Sequence, residues 1–257
     1  MAPIRFAELT TLQAEALLDG SRTPVLLLAV AAVEPHGPHA PLATDNLIAA
    51  GICERAARAL VHDPEVHALM LEPIPYGVTR YAAAFRGTVG VGPETLRALV
   101  LDVIRSLLAD GFLRVVIVNH HFEPEHVQAL RDVQAALRAE GALVALLDLT
   151  RRRQAERLTA EFRSGSCHAG RYETSLILAQ APELVDAGLM RALPALEVSM
   201  ASEIASGHCD FLAMGMRDAY CGAPAQATPE EGAATFETLA QMVVELAREL
   251  ALERAPG

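Results

Sequence analysis

The chain has 257 residues, 52% of them hydrophobic and 21% charged, a length and balance that suit one folded domain and exclude a disordered chain. Its formal net charge of -11 opposes nucleic acid and anionic membranes alike, so neither is expected as a partner. Four widely spaced cysteines, Cys53, Cys167, Cys209 and Cys221, form no C-x-x-C pair, which argues against a zinc knuckle or a disulfide framework and fits a reducing cytoplasm.

The opening "MAPIRFAELT" has one arginine and no apolar core, so no export signal is expected. The longest apolar run, Val25 to Val33, is far short of the ~20 residues a membrane span requires. "PVLLLAVAAVE" has no helical stripe and predicts a strand buried on both faces, as in a parallel sheet covered by helices. Leu47, Ile48, Ile52, Ala56, Ala59 and Leu60 then line one face of a helix, and "HALMLEPIP" predicts another strand.

After Pro93, which suits a first helical turn, Leu96, Leu99, Val100, Val103, Ile104, Leu107 and Leu108 keep one face apolar until Gly111. "RVVIVNH" predicts a third buried strand. Val127, Leu130, Val133 and Leu137 predict a helix that Gly141 ends, and "ALVALLD" a fourth strand. The Arg151, Arg152, Arg153 cluster reads as a solvated helix start or an oligomer contact. Thr228 and Glu231 form a T-x-x-E capping box around Pro229, and Phe236, Leu239, Met242, Val243, Leu246 and Leu250 line the last helix. The alternation implies one α/β domain over residues 1–257: a layered, mainly parallel sheet with helices on both faces, and ligands beyond the strand carboxyl ends.

Two polar clusters stand at such ends. Glu34 and His36 follow the first strand, with Asp45 where the next helix begins; His120, His121 and Glu123 follow "RVVIV" just before Pro124. Imidazoles with several carboxylates suit Zn²⁺ or Mn²⁺ in a hydrolytic site, and more than four such groups suggest two ions sharing a carboxylate, for which Asp45 is the natural bridge. A third cluster, "CHAGRYETS", adds His168 and Glu173; taken alone, these read equally well as a loop histidine and a helix-start carboxylate favoured by the macrodipole.

In order, these clusters resemble the creatininase family, the creatinine amidohydrolases and their relatives. From about Pro24 to about Gly232, "VEPHGPHAPLATD" resembles its E-x-H-G-x-H-L-P-x-x-T-D signature, "FRGTVGV" its F-P-G-T segment, "HAGRYETS" its H-A-G-x-x-E-T-S segment and "YCGAPAQATPEEG" its G-x-P-x-x-A-T-x-x-G pattern. The resemblance implies a hexamer whose chains each carry two divalent ions, Zn and/or Mn, with a hydroxide between them as nucleophile. Glu34 and His121 would hold one ion, His36 and Glu123 the other, and Asp45 both. His168 would shuttle the proton, Glu173 would position ligands or substrate, and His39 would be a supporting donor or a structural loop histidine.

Where many relatives have N-G-H-G-G-N, this chain has "NHHFEP", with His120 for the first glycine and Glu123 for a second, the creatinine-hydrolase-like variant. Tyr81-Ala82 stands for the usual E-H, Arg86 for the proline of F-P-G-T, and Arg171 for a frequent glutamate. Arg80, Arg86 and Arg171 fit either a substrate carboxylate or phosphate, or salt bridges. Creatinine hydrolases of this pattern close tryptophans over their substrate, and this chain has none, which argues against creatinine itself.

The expected activity is hydrolysis of a C–N bond in a small cyclic amide or related ring. Branches acting on a peptide, a formamide or a cyclic sugar ketone are alternatives, as are a catalytically silent metal-binding scaffold and a metal-dependent isomerase or aldolase.

Overall fold

The computed structural model describes residues 3–254. Strands β1 (Thr23–Val30), β2 (Val66–Met70), β3 (Arg114–Asn119) and β4 (Leu143–Leu147) form one sheet in the order β2-β1-β3-β4, parallel at every pairing. All four predicted strands are present. The larger helices are α1 (Thr11–Leu18), α2 (Thr44–Ala59), α3 (Pro93–Ala109) and α4 (Pro124–Ala139). Next come the short α5 (Arg152–Ala155) and α6 (Ala160–Ser164) and the ten-residue α7 (Arg171–Gln180). The chain ends through α8 (Ala187–Ala192), α9 (Met200–Ala205) and the long α10 (Pro229–Leu252).

The absence of a helical stripe in "PVLLLAV" has a direct structural counterpart. Val25, Leu27 and Ala29 point with Val116 and Val118 into a core shared with α2, α7 and α10. Leu26, Leu28 and Val30 point with Val115 and Ile117 into a second core beneath α3 and α4. Both faces of the strand are therefore covered, and the molecule is a three-layer α/β/α domain.

From β1 the chain crosses by α2 to β2 on one side. It then returns by α3, on the opposite face, to β3 on the other side of β1. Strand order thus reverses between β1 and β3, which opens a crevice beyond their carboxyl ends. Both polar clusters of the sequence leave the sheet at this point. A third, smaller apolar cluster of Ala82, Phe211, Met214, Met216, Ala219 and Cys221 stands apart from the two sheet cores.

The expected capping box of α10 forms by half. The Thr228 hydroxyl accepts from the Glu231 N–H at 3.2 Å, but the Glu231 carboxylate pairs with Arg171 and the Thr228 N–H donates to Ser175 Oγ at 3.0 Å. The groups a capping box would join are used instead to tie α10 to α7.

Gly232 closes the same contact, because a Cβ there would lie 1.8 Å from the Ser175 carbonyl oxygen. Gly232→Ala is expected to force the two helices apart at a cost of ~2 kcal/mol or more and to lower the melting temperature by about 5 °C. An unchanged midpoint in scanning calorimetry would show that the α7–α10 contact relaxes freely. Among the described residues, no helix is long and apolar enough to cross a membrane, and all four cysteines are free.

Candidate metal centre

Glu34 lies just beyond β1, where the Thr79 hydroxyl donates to its Oε2. The chain then turns through Gly37, whose φ of 65° places it in the left-handed region. The turn brings His36 back over its own backbone, so that Nδ1–H donates to the Glu34 carbonyl at 3.0 Å. That bond leaves the lone pair on Nε2. Nε2 lies 3.3 Å from Asp45 Oδ1 and 3.5 Å from Glu173 Oε2, is fully buried, and accepts no hydrogen bond. Asp45 and Glu173 both stand in the first turn of a helix, α2 and α7, where the macrodipole favours a carboxylate.

Beyond β3, Asn119 pins the second cluster. Its Oδ1 accepts from the His121 N–H at 3.0 Å and lies 3.0 Å from His126 Nε2, while its amide donates to the His121 carbonyl at 2.7 Å. His121 Nε2–H donates to the Val78 carbonyl at 2.7 Å, which turns Nδ1 towards Asp45 Oδ2 at 3.0 Å and Glu34 Oε1 at 3.3 Å. Two groups of metal-binding atoms result, Glu34–Asp45–His121 and His36–Asp45–Glu173. Asp45 belongs to both, one oxygen facing each histidine.

Glu173, not Glu123, therefore stands beside His36. Glu123 stands at the N-cap position of α4 and its Oε2 accepts the N–H groups of Arg80 and Tyr81 at 2.7 and 3.1 Å, while Oε1 is buried without a partner. The creatininase resemblance pairs Glu123 with His36. Glu173 reaches the same point only through the long excursion from β4 to α7.

His168 forms a further group with Glu34 and His36. Its Nε2–H donates to the Pro35 carbonyl at 3.0 Å, so Nδ1 faces the site, 3.8 Å from Glu34 Oε1. The ring lies against His36 and Phe211, with centroids 4.4 and 4.5 Å away. Ala169, next in the chain, holds a φ of 52°, rare for a residue with a Cβ, and its N–H donates to Glu173 Oε2 at 2.7 Å. This strained residue links the shuttle candidate to the ligand candidate.

The cluster is short of positive charge. Burial, reinforced by the charges of Asp45 and Glu34, outweighs His36 and pushes the Glu173 carboxyl up to about 8. Burial alone would lower His36, but Asp45, Glu173 and Glu34 raise it to about 10. Burial and the neighbouring His36 hold His168 down at about 4, as a neutral ring. Among the described residues no arginine pairs with Glu34, Asp45 or Glu173, and the chain contains no lysine. Buried carboxylates with no arginine or lysine beside them, balanced only by the imidazoles of His36 and His121 that they hold protonated, fit divalent cations that would displace those protons.

The remaining sequence candidates lie around this centre. His39 Nε2 donates to Thr174 Oγ1 at 2.9 Å, and that hydroxyl in turn donates to the Ala169 carbonyl at 3.2 Å, so His39 braces the His168 loop. Arg80 pairs with Glu125 at 2.7 Å and Arg171 with Glu231, which makes both structural ion pairs; Arg86 is exposed. The sequence reading passed over His126 and Tyr172. His126 Nδ1 accepts from the Val78 N–H at 3.2 Å and packs on His121, and the Tyr172 hydroxyl lies 3.1 Å from His120 Nε2.

A cavity of about 700 Å³ opens onto Glu34, Asp45, His121, His168 and Glu173. Its outer walls are Phe122, Phe162, Met200, Ile204 and Phe211.

The Creatininase family model, described as creatinine amidohydrolase, matches residues 7–247. A mycofactocin precursor peptide peptidase of Mycobacterium ulcerans (strain Agy99) is 36% identical over 64% of this chain and 62% of its own length. The match thus spans less than two thirds of that relative. The creatinine amidohydrolase of Pseudomonas putida is 30% identical over 63% of this chain and 66% of its own. A crystal structure of creatinine amidohydrolase superposes with a TM-score of 0.74 at 26% identity, covering 99% of this chain and 100% of the other. A manganese creatininase gives 0.73 at 25% identity, covering 98% of this chain and 100% of its own. With a family match from residue 7 to 247 and the same fold over nearly the full length, the chain belongs to the creatininase family.

Proposed function

We propose that this protein is a dinuclear metal-dependent amidohydrolase, cleaving a C–N bond with water. The observation that carries the reading is Asp45, shared between two groups of ligand atoms in the crevice between β1 and β3. Glu34 and His121 would hold one divalent ion and His36 and Glu173 the other, with Asp45 available to both. Zn²⁺ and Mn²⁺ each accept this mixture of nitrogen and oxygen. Bound ions would acidify water and neutralise the oxyanion that forms at an attacked carbonyl.

The protein side chains supply the rest. His168 Nδ1, neutral and facing Glu34, takes a proton and delivers it to the departing nitrogen, which would otherwise leave as an anion. Glu34 is held by Thr79, and His36 and His121 by backbone carbonyls, so the ligand candidates do not have to be ordered when substrate arrives. Phe211 and Phe162 exclude water from the cavity and bind apolar substrate groups.

Our reading puts an amide within a short apolar peptide ahead of a small cyclic amide, and the size and apolar walls of the cavity support it. The peptide peptidases among the relatives support that order. The small-ring reading rests on the similarity to creatinine amidohydrolases. The hexamer implied by the resemblance and a cytoplasmic location belong to the same proposal.

The test begins with elemental analysis of the wild type, Glu173→Gln and Glu123→Gln purified in parallel. About two ions are expected in the wild type and in Glu123→Gln, falling towards one in Glu173→Gln. Short apolar peptides and creatinine are then offered to the Zn²⁺- and Mn²⁺-loaded enzyme, with at least ten-fold faster amine release expected from a peptide. Loss of an ion in Glu123→Gln but not in Glu173→Gln would reverse the ligand assignment. One ion or none in the wild type would remove the dinuclear reading.

A further inference from the structure

Resting on that dinuclear reading, we propose that His120 is a fourth protein ligand of the ion held by His36, Asp45 and Glu173, so that this chain encloses one of its two ions almost completely. His120 lies between β3 and His121 and is fully buried. Its Nδ1 has no hydrogen-bond partner. That is an expensive arrangement for a ring nitrogen inside a protein unless something else occupies the space before it.

What lies before it is the second ligand group. Nδ1 is 3.8 Å from Asp45 Oδ1 and 3.8 Å from Glu173 Oε1. On the far side of the same carboxylates, His36 Nε2 is 3.3 Å from Asp45 Oδ1 and 3.5 Å from Glu173 Oε2, and it is the other orphaned imidazole nitrogen of this group. Ligands bound at ~2.1 Å to one tetrahedral ion stand ~3.4 Å apart. The two spacings from His120 exceed this by only a few tenths of an ångström, and Glu173 presents one oxygen to each imidazole.

The opposite edge of the ring is fixed. His120 Nε2 lies 3.1 Å from the Tyr172 hydroxyl, and the two rings stack with centroids 5.6 Å apart. With Nε2–H donating to that oxygen, Nδ1 keeps its lone pair and faces the carboxylates. Tyr172 immediately precedes Glu173 on α7, so one turn of helix supplies both a ligand and the clamp on its neighbour. His168 stands at the same 3.8 Å from Glu34 Oε1 beside the Glu34–Asp45–His121 group but is needed there as the proton carrier, so the ion beside His120 would be the more tightly held.

The wild type, His120→Ala and Tyr172→Phe are compared by competition with a chromophoric chelator, using Zn²⁺, and by the visible absorption of the Co²⁺-loaded proteins; circular dichroism of each metal-free protein reports folding. The wild type is expected to bind two ions of unequal affinity. His120→Ala should weaken the tighter one by at least ~100-fold and lower the Co²⁺ absorption. Tyr172→Phe, which keeps Nδ1 but frees the ring, should weaken the same ion by ~10- to 100-fold.

A folded His120→Ala protein with both affinities and the Co²⁺ spectrum unchanged overturns the proposal and leaves the dinuclear reading standing. Fewer than two ions in the wild type removes that reading and the proposal with it. Should His120→Ala not fold, unchanged affinities in Tyr172→Phe overturn the proposal.

Discussion

Asp45→Ala is expected to strip both ions from the chain and to slow turnover by about three orders of magnitude or more, while the domain stays folded. Each Asp45 oxygen faces a different histidine, His36 Nε2 at 3.3 Å and His121 Nδ1 at 3.0 Å, so one substitution removes a ligand from both groups at once. Two ions that activate water and stabilise an oxyanion contribute several kcal/mol to the transition state, and ~1.4 kcal/mol corresponds to a factor of ten in rate. The effect on the fold is smaller. Asp45 makes no ion pair with an arginine among the described residues, and removing it relieves repulsion with Glu34 and Glu173; what is lost is a helix-start carboxylate worth ~0.3–1 kcal/mol and the pairing with His36 and His121 that, against burial, holds the Asp45 carboxyl well below the usual range. Elemental analysis beside far-ultraviolet circular dichroism checks both halves. A folded variant with near-normal metal content would end the bridging assignment.

His168→Ala is expected to separate the same two properties in the opposite sense: both ions retained, turnover lower by ~10²- to 10⁴-fold. Its Nε2–H is committed to the Pro35 carbonyl, which leaves Nδ1 as the ring's basic atom, facing Glu34 and the cavity. The loss should be smaller for substrates with good leaving groups, since an activated anilide needs less help from an acid than an alkyl amide does. Full activity of the variant on an alkyl amide would dismiss His168 as the proton carrier. Loss of an ion from the variant would instead make it a ligand, through its grouping with Glu34 and His36.

The sheet was legible because each of its strands is a run of apolar residues too short for a helix and without helical spacing. The crevice followed from the alternation of strands and helices, Glu34, His36 and His121 from their places directly beyond strand ends, and Asp45 from its place at the start of the next helix. What failed to show was set by contacts distant in sequence. Glu173 is brought to His36 by a segment of small helices, and its motif alone reads equally well as a helix start. Glu231 looked committed to a capping box until the structure gave it Arg171 as a competing partner. The cavity wall around Phe211 was invisible, because residues 200–221 carry neither a strand nor a long amphipathic helix and pack through scattered methionines and aromatics.

That wall has a consequence for how the protein can change. Phe211, backed by Met214 and Met216, belongs to a cluster that shares no buried residue with the two cores holding the sheet, whereas Phe162 on the same wall packs in one of those cores and every ligand candidate hangs from a strand end or a helix start. Substitutions in the wall and at the centre should accordingly act with near-additive free energies where their side chains do not touch. A lineage, or an engineer, can recut the Phe211 side of the substrate mould while the hydrolytic apparatus stays as it was.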